Sequence, residues 1–151
     1  MPLRRLLCAI GLALGLLVTT VPAPAIAGSS EYGRTWRKDG AFPGENACRK
    51  YTIQYRVKPR NVLHPRSGWT FEAFLIDRND NNVTHITKDG SIDPKRGSGE
   101  FKICDASTVP GRFKIRGKLT VYPEGNDLHL PGDTAGKVKW VKPGFFRLRR
   151  A

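Results

Sequence analysis

The stretch that most restricts the fold is residues 112–121, which read R-F-K-I-R-G-K-L-T-V. On a β-strand, successive side chains point to opposite faces. The alternating cations would therefore line one face: Arg112, Lys114, Arg116 and Lys118. The apolar side chains between them would line the other: Phe113, Ile115, Leu119 and Val121. The pattern predicts a β-protein with a core on one side of this strand and a basic surface on the other.

Six other segments show two-residue alternation or short apolar runs that are typical of strands: residues 49–58, 69–77, 83–87, 99–104, 137–142 and 145–149. Residues 74–76 are continuously apolar, which indicates burial on both faces or a bulge. The Asp- and Asn-rich residues 77–82 predict a turn. Residues 123–136 read as a long polar loop, and 28–47 as a loose lead-in with at most one short edge strand. No segment shows helical periodicity, so a β-sandwich or a small barrel is expected.

The N-terminal segment, residues 1–27, has the features of a cleaved secretory signal. Arg4 and Arg5 precede an uncharged apolar run over residues 6–21, and A-I-A at 25–27 is a small-x-small cleavage site. The alternative is a membrane anchor, for which the run is short. We therefore expect cleavage after Ala27 and a secreted, extracellular protein of residues 28–151. Without the two arginines, 24 cations face 13 acids, a net charge of +11.

Two cysteines, Cys48 and Cys104, remain after cleavage, and an oxidising compartment favours one disulfide between them. In each predicted strand, alternate residues share a face, and both cysteines fall on the face of the polar residues, which we call the polar parity. The core-crossing disulfide of an immunoglobulin domain needs the apolar parity instead. We therefore predict a bridge at strand ends, or between neighbouring strands on the outer side.

Several motifs resemble those of small secreted actinobacterial proteins with immunoglobulin-like sandwiches. They are the A-I-A signal end, E-F-K-I-C at 100–104, G-R-F-K-I-R-G-K-L-T-V-Y at 111–122 and F-F-R-L-R-R at 145–150. The resemblance implies a fold and a compartment rather than an activity. Together with the strand pattern, it leads us to expect one all-β domain, an immunoglobulin-like sandwich of six or seven short antiparallel strands with one disulfide.

The distribution of charge suggests a binding surface. Most acids fall in predicted turns and loops, whereas many cations fall on strands. The residues expected to form a basic sheet face are Arg112, Lys114, Arg116, Lys118, Lys137, Lys139, Arg147 and Arg149. Like charges along one face repel each other, which favours an anionic partner: a cell-wall polymer, an anionic lipid or extracellular nucleic acid. The alternative is a solvated face whose long side chains cover apolar surface.

We expect a monomeric, non-enzymatic protein with no cofactor and no metal site. Asp77-x-Asn79-x-Asn81 opens like a Ca²⁺ loop, but Lys88 stands where the closing carboxylate belongs. Two other functions stay open. A secreted nuclease or toxin would use His64, His85 and His129 as acid and base. A protein-partner module, such as an inhibitor or adhesin, would use the 123–136 loop. Exposed Tyr32, Trp36 and Phe145 are candidate stacking platforms, whereas Trp140 is expected in the core.

Overall fold

The computed structural model describes residues 28–62, 68–123 and 136–150. These residues form nine β-strands and no α-helix: β1 (Ser29–Trp36), β2 (Gly40–Ala41), β3 (Cys48–Val57), β4 (Trp69–Ile76), β5 (Asn82–Asp89), β6 (Arg96–Cys104), β7 (Gly111–Val121), β8 (Lys137–Lys142) and β9 (Gly144–Arg149). Short 3₁₀ helices follow β3 (Pro59–Asn61) and β6 (Asp105–Ser107). Within these ranges, no helix is long and apolar enough to cross a membrane. The predicted signal segment, 1–27, lies outside the described residues.

The strands form two layers that are joined along β8. In the first layer, β3 lies between β1 and β6 and is antiparallel to both. In the second layer, β4 lies between β5 and β7. The other edge of β7 pairs with β9 along its first half and with β8 along its second half. β8 also pairs with β1, and this contact connects the layers.

This is the strand order of an immunoglobulin-like sandwich. β1, β3 and β6 take the places of strands A, B and E, while β5, β4 and β7 take those of C′, C and F. β8 and β9 together form strand G, interrupted at Pro143, which has no N–H to donate to a ladder. The predicted all-β, immunoglobulin-like fold is confirmed. The count of six or seven strands was too low, and the β1–β8 and β2–β9 pairs are parallel rather than antiparallel.

The core lies between the layers and is built from the apolar parity of the long strands. The three strands that contribute four buried apolar residues each are β3 with Tyr51, Ile53, Tyr55 and Val57, β4 with Trp69, Phe71, Ala73 and Leu75, and β7 with Phe113, Ile115, Leu119 and Val121. Tyr55 of the first layer stacks on Phe71 of the second, with ring centroids 5.3 Å apart. The pairing of β4 with β5 shifts register between Leu75 and Ile76, and the extra residue lies on β5, because Leu75 pairs with Thr84 and Ile76 with Asn82. The apolar run itself keeps strand alternation, with Leu75 buried and Phe74 and Ile76 half-buried, and its pairing with β7 is regular, so neither burial on both faces nor a bulge within the run is found.

The lead-in is more regular than predicted, because residues 29–36 form β1 in the interior of the sheet, between β3 and β8. Its inward positions are Gly33 and Thr35, both buried, so the strand lacks the apolar alternation that would reveal it in the sequence. Gly33 has φ +138° and packs so closely that a side chain would collide with the Arg56 carbonyl. The Thr35 hydroxyl donates to the Ile115 carbonyl (3.1 Å) and accepts from the Gly144 N–H (2.8 Å).

The Cys48–Cys104 disulfide is present and joins neighbouring strands at their ends. Cys48 begins β3, Cys104 ends β6, and the two are direct register partners. Cys48 is exposed and Cys104 is half-buried. The parity argument is therefore correct: the bridge joins the ends of two neighbouring strands in one layer and does not cross the core.

Candidate functional site

Six of the eight predicted basic residues lie together on the outer side of β7 and β9, a surface we call the basic ladder face: Arg112, Lys114, Arg116, Lys118, Arg147 and Arg149. Along β7 the cations alternate with buried apolar side chains, as the sequence predicts. Along β9, buried Phe146 and Leu148 alternate with exposed neighbours. The face is therefore a direct consequence of strand alternation over a packed core.

Arg112 and Arg147 stand directly opposite each other in the antiparallel β7–β9 pair. Like charges in this position destabilise a sheet. The Asp39 carboxylate is close by, and it accepts a hydrogen bond from the backbone N–H of Arg147 at 2.7 Å. This end of the basic ladder face therefore carries three arginines, Arg112, Arg147 and Arg149, around one carboxylate, Asp39.

Lys118, at the other end of the face, is neutralised by the protein. Its Nζ lies 2.7 Å from Glu72 Oε2, and the two residues are register partners on β7 and β4. Both side chains are about one-third exposed, so the pair is partly shielded from water. Lys118 is consequently a weaker candidate for ligand contact than the sequence suggests.

Two arginines of the face lie over aromatic rings. The Arg116 guanidinium carbon is 4.0 Å from the Trp140 ring centroid, and that of Arg112 is 4.4 Å from the Phe145 centroid. Such stacking orients a guanidinium and leaves its charge in place. Phe145 is exposed, as proposed for a stacking platform, whereas Trp140 is half-buried on the outer side rather than in the core.

Lys137 and Lys139 do not belong to the basic ladder face, contrary to prediction. Trp140 pairs with Lys118 in register and Lys139 pairs with buried Leu119, so the two lysines take the opposite face of β8. The sequence of β8, K-V-K-W-V-K, has two adjacent apolar residues, Trp140 and Val141, so either set of alternate residues could face the core. Val141, only 2% exposed, takes the core position. Lys139 Nζ instead lies 5.2 Å from the ring centroid of Tyr32.

Two shallow grooves flank the exposed Phe145 ring. One of about 240 Å³ is lined by Asp39, Arg147 and Arg149 among others, and one of about 220 Å³ by Asp77, Arg78 and Lys114 among others. Arg112 and Phe145 line both. The basic ladder face therefore has an exposed aromatic ring between two grooves that are lined by cations.

The Asp77 carboxylate beside the second groove accepts hydrogen bonds within the predicted turn. Its Oδ1 accepts hydrogen bonds from the N–H groups of Asn79 (2.8 Å) and Asn81 (3.0 Å). Burial acts to raise the pKa of Asp77, but these bonds, with those from the Asn81 and Thr108 side chains, lower it overall. The turn prediction is confirmed, and Asp80 within it adopts φ +61°.

The histidines and the possible metal ligands can be checked in residues 28–62, 68–123 and 136–150. No group of three His, Cys, Asp or Glu side chains there could hold a metal ion. His85 is exposed on β5 and lies beside Phe74, with ring centroids 6.0 Å apart. His64, His129 and most of the 123–136 loop lie outside the described residues, so the nuclease and protein-partner alternatives stay predictions.

The structure also assembles a set of cations that the sequence did not group. Arg34, Arg56, Arg96 and Lys142 occupy one row across four strands. Arg56 and Lys142 come from two different predicted strands, Arg34 comes from the supposed lead-in, and Arg96 lies outside every predicted strand. Only the strand register brings the four together.

The comparisons with known proteins add little. No family model matches the chain, and no curated protein matches it. One solved structure, a CARDB domain from Pyrococcus furiosus in complex with di-metal ions, aligns with 79% of this chain and 97% of its own at 15% identity. The TM-score is 0.30, so we infer neither fold nor function from it. The resemblance to secreted actinobacterial proteins stays a prediction.

Proposed function

We propose that this chain is an exported, non-enzymatic binding protein whose basic ladder face holds an anionic polymer of the cell envelope or the extracellular space. The observation that carries the proposal is the direct opposition of Arg112 and Arg147, next to exposed Phe145. Two arginines directly opposite each other repel, and the single Asp39 carboxylate beside them offsets only part of their charge, whereas a polyanion laid across them supplies further counter-charge. The immunoglobulin-like layers below hold the cations at fixed positions.

Binding would proceed by charge neutralisation. Each cation that contacts an anionic group releases a condensed counterion, so the affinity falls steeply as salt is raised. Lys118 would contribute least, since Glu72 already compensates it at 2.7 Å. Lys114 and Arg147 would contribute most, because they flank Phe145 and neither takes part in an ion pair among the described residues.

Export is supported by the sequence of residues 1–27, with its two arginines, apolar run and cleavage motif. Expression in a bacterial host followed by N-terminal sequencing of the protein in the medium tests it. The expected first residue is Gly28. Retention of the full chain in the membrane fraction would contradict export and favour an anchor.

Co-sedimentation with purified bacterial cell walls across a salt series tests the binding. The variant is Lys114→Gln with Arg147→Gln, and the control is Lys137→Gln with Lys139→Gln. The control removes the same net charge from the opposite face of β8. We expect saturable binding by the parent protein, about tenfold weaker binding by the ladder variant at low salt, and little change in the control.

Two outcomes would refute the proposal. If both double variants lose the same affinity, only net charge matters and the basic ladder face is a solvated surface. If the parent protein does not sediment with walls even at low salt, an envelope polymer is not its ligand. RNA or DNA cleavage that disappears on replacing His64, His85 or His129 singly would instead establish the nuclease alternative.

A further inference from the structure

A row of cations crosses four neighbouring strands on the outer side of the first layer. Arg96 on β6 is the register partner of Arg56 on β3, Arg56 is that of Arg34 on β1, and Arg34 is that of Lys142 on β8. All four residues are exposed. Because paired strands lie about 4.8 Å apart, the row spans roughly 14 Å. We call these four residues the arginine row.

Two carboxylates close to Arg96 in the chain pair with lysines outside the row, whereas exposed Glu31 on β1 takes part in no ion pair among the described residues. Asp93, which precedes Arg96 in the chain, lies 3.1 Å from Lys88 Nζ, and Glu100, which follows it, lies 3.2 Å from Lys50 Nζ. In the part of the chain that the structure describes, no ion pair includes a member of the arginine row. Three consecutive like-charged pairs thus stand directly opposite one another without a counter-charge among the described residues.

At its β6 end, the row opens into a groove of about 470 Å³, a size typical of ligand pockets. Its lining includes five cations and no acid: Arg56, Lys58, Arg60, Lys95 and Arg96. Backbone contacts fix the two segments that line the groove. The Val57 N–H donates to the Lys95 carbonyl at 2.8 Å, and the 3₁₀ helix Pro59–Asn61 is anchored by buried Pro59.

We infer that the arginine row and this groove form a second binding site, which takes a linear polymer bearing repeated phosphate groups. The planar guanidinium fork matches phosphate oxygens in a bidentate manner, and arginines dominate the row. The polymer would lie across the strands, with one phosphate in the groove and the following ones over Arg56, Arg34 and Lys142. Trp36, whose ring centroid lies 4.9 Å from the Arg34 guanidinium, flanks the path.

This inference does not rest on the proposed function, because the site lies on β1, β3, β6 and the last residue of β8, not on β7 and β9. The charge density also distinguishes it. The row and groove together hold seven cations, none of them in an ion pair among the described residues, whereas one of the six cations of the basic ladder face, Lys118, is paired with Glu72. A ligand with several closely spaced negative charges fits the first surface better than a single anion does.

Fluorescence anisotropy with three labelled probes tests the inference: a single-stranded oligothymidylate, inorganic polyphosphate and polyglutamate. The variant is Arg56→Gln with Arg96→Gln. The control is Lys50→Gln with Lys102→Gln, which are also register partners on the same face of the same two strands. We expect the row variant to bind the phosphate probes about tenfold more weakly at low salt, with a salt slope shallower by about 1.4. The control should change little.

A second variant, Arg34→Gln with Lys142→Gln, removes the other half of the row and guards against misfolding of the first. Binding of both phosphate probes assigns the ligand chemistry to phosphate alone, and binding of the oligothymidylate only assigns it to nucleic acid. Three results would overturn the inference: no phosphate probe binds, polyglutamate binds equally well, or the row and control variants lose the same affinity. The Lys114→Gln with Arg147→Gln variant in the same assay separates the two surfaces. The row variant should lose more phosphate binding than this ladder variant, and an equal or larger loss in the ladder variant would also overturn the inference and leave the basic ladder face as the binding surface.

Discussion

The buried hydroxyl of Thr35 ties together three strands, and its removal should destabilise the sandwich far more than its size suggests. The hydroxyl donates to the Ile115 carbonyl on β7 at 3.1 Å and accepts from the Gly144 N–H on β9 at 2.8 Å. Thr35→Val keeps the shape of the side chain but leaves a buried donor without a partner. An unsatisfied buried donor costs about 1–3 kcal/mol, and the lost bond to Ile115 adds about 1 kcal/mol. We therefore expect a loss of about 2–4 kcal/mol in the free energy of unfolding.

Urea denaturation followed by tryptophan fluorescence measures this loss. With a slope of about 2 kcal/mol per molar urea, the midpoint should fall by about 1–2 M. Thr35→Ser is the matched control, because it keeps the hydroxyl and removes one methyl group, at a cost of about 1 kcal/mol. If Thr35→Val proves as stable as Thr35→Ser, the hydrogen bonds of Thr35 are not what holds β1 to β7 and β9.

Two further predictions concern a carboxylate and a glycine. The pKa of Asp77 is lower in the folded chain than its usual 3.8, so its ionised form stabilises the fold above that pH, and the contribution is lost as the pH falls through the lowered value. Unfolding free energies at pH 6 and pH 3 should therefore differ less for Asp77→Asn than for the parent protein, and an equal decline would contradict this. Gly117 is buried against Phe71 and Val141, and a Cβ there would clash with both. Gly117→Ala should cost about 1–3 kcal/mol in thermal or urea unfolding, and an unchanged stability would show that the neighbours repack freely.

The sequence was sufficient wherever a strand has one clear apolar parity. On β3 and β7, all the apolar residues fall on one set of alternate positions, and these residues are buried. The same parity located the disulfide, because Cys48 and Cys104 both fall on the polar side of strands that pair with each other. A two-residue period carries this information locally, without any knowledge of the rest of the fold.

The sequence failed where parity was ambiguous or the inward residues were not apolar. The alternation on β8 contains Trp140 and Val141 side by side, and only the space left in the core decides that Val141 points inward. That choice moves Lys137 and Lys139 off the basic ladder face. On β1, the inward residues are Gly33 and Thr35, which are selected by close backbone packing and by hydrogen bonds to other strands.

The sequence by itself determined which residues face the core along the long strands, that the disulfide lies at strand ends or on the outer side of a layer, and that β7 carries a line of cations. These properties follow from the alternation of side chains along one strand. The tertiary structure alone decided which cations from different strands lie side by side on the surface. Register across β6, β3, β1 and β8 aligns the arginine row, and the β4–β7 pairing gives Lys118 its partner Glu72. Register depends on how every strand packs over the common core, and no single segment of the chain contains that information.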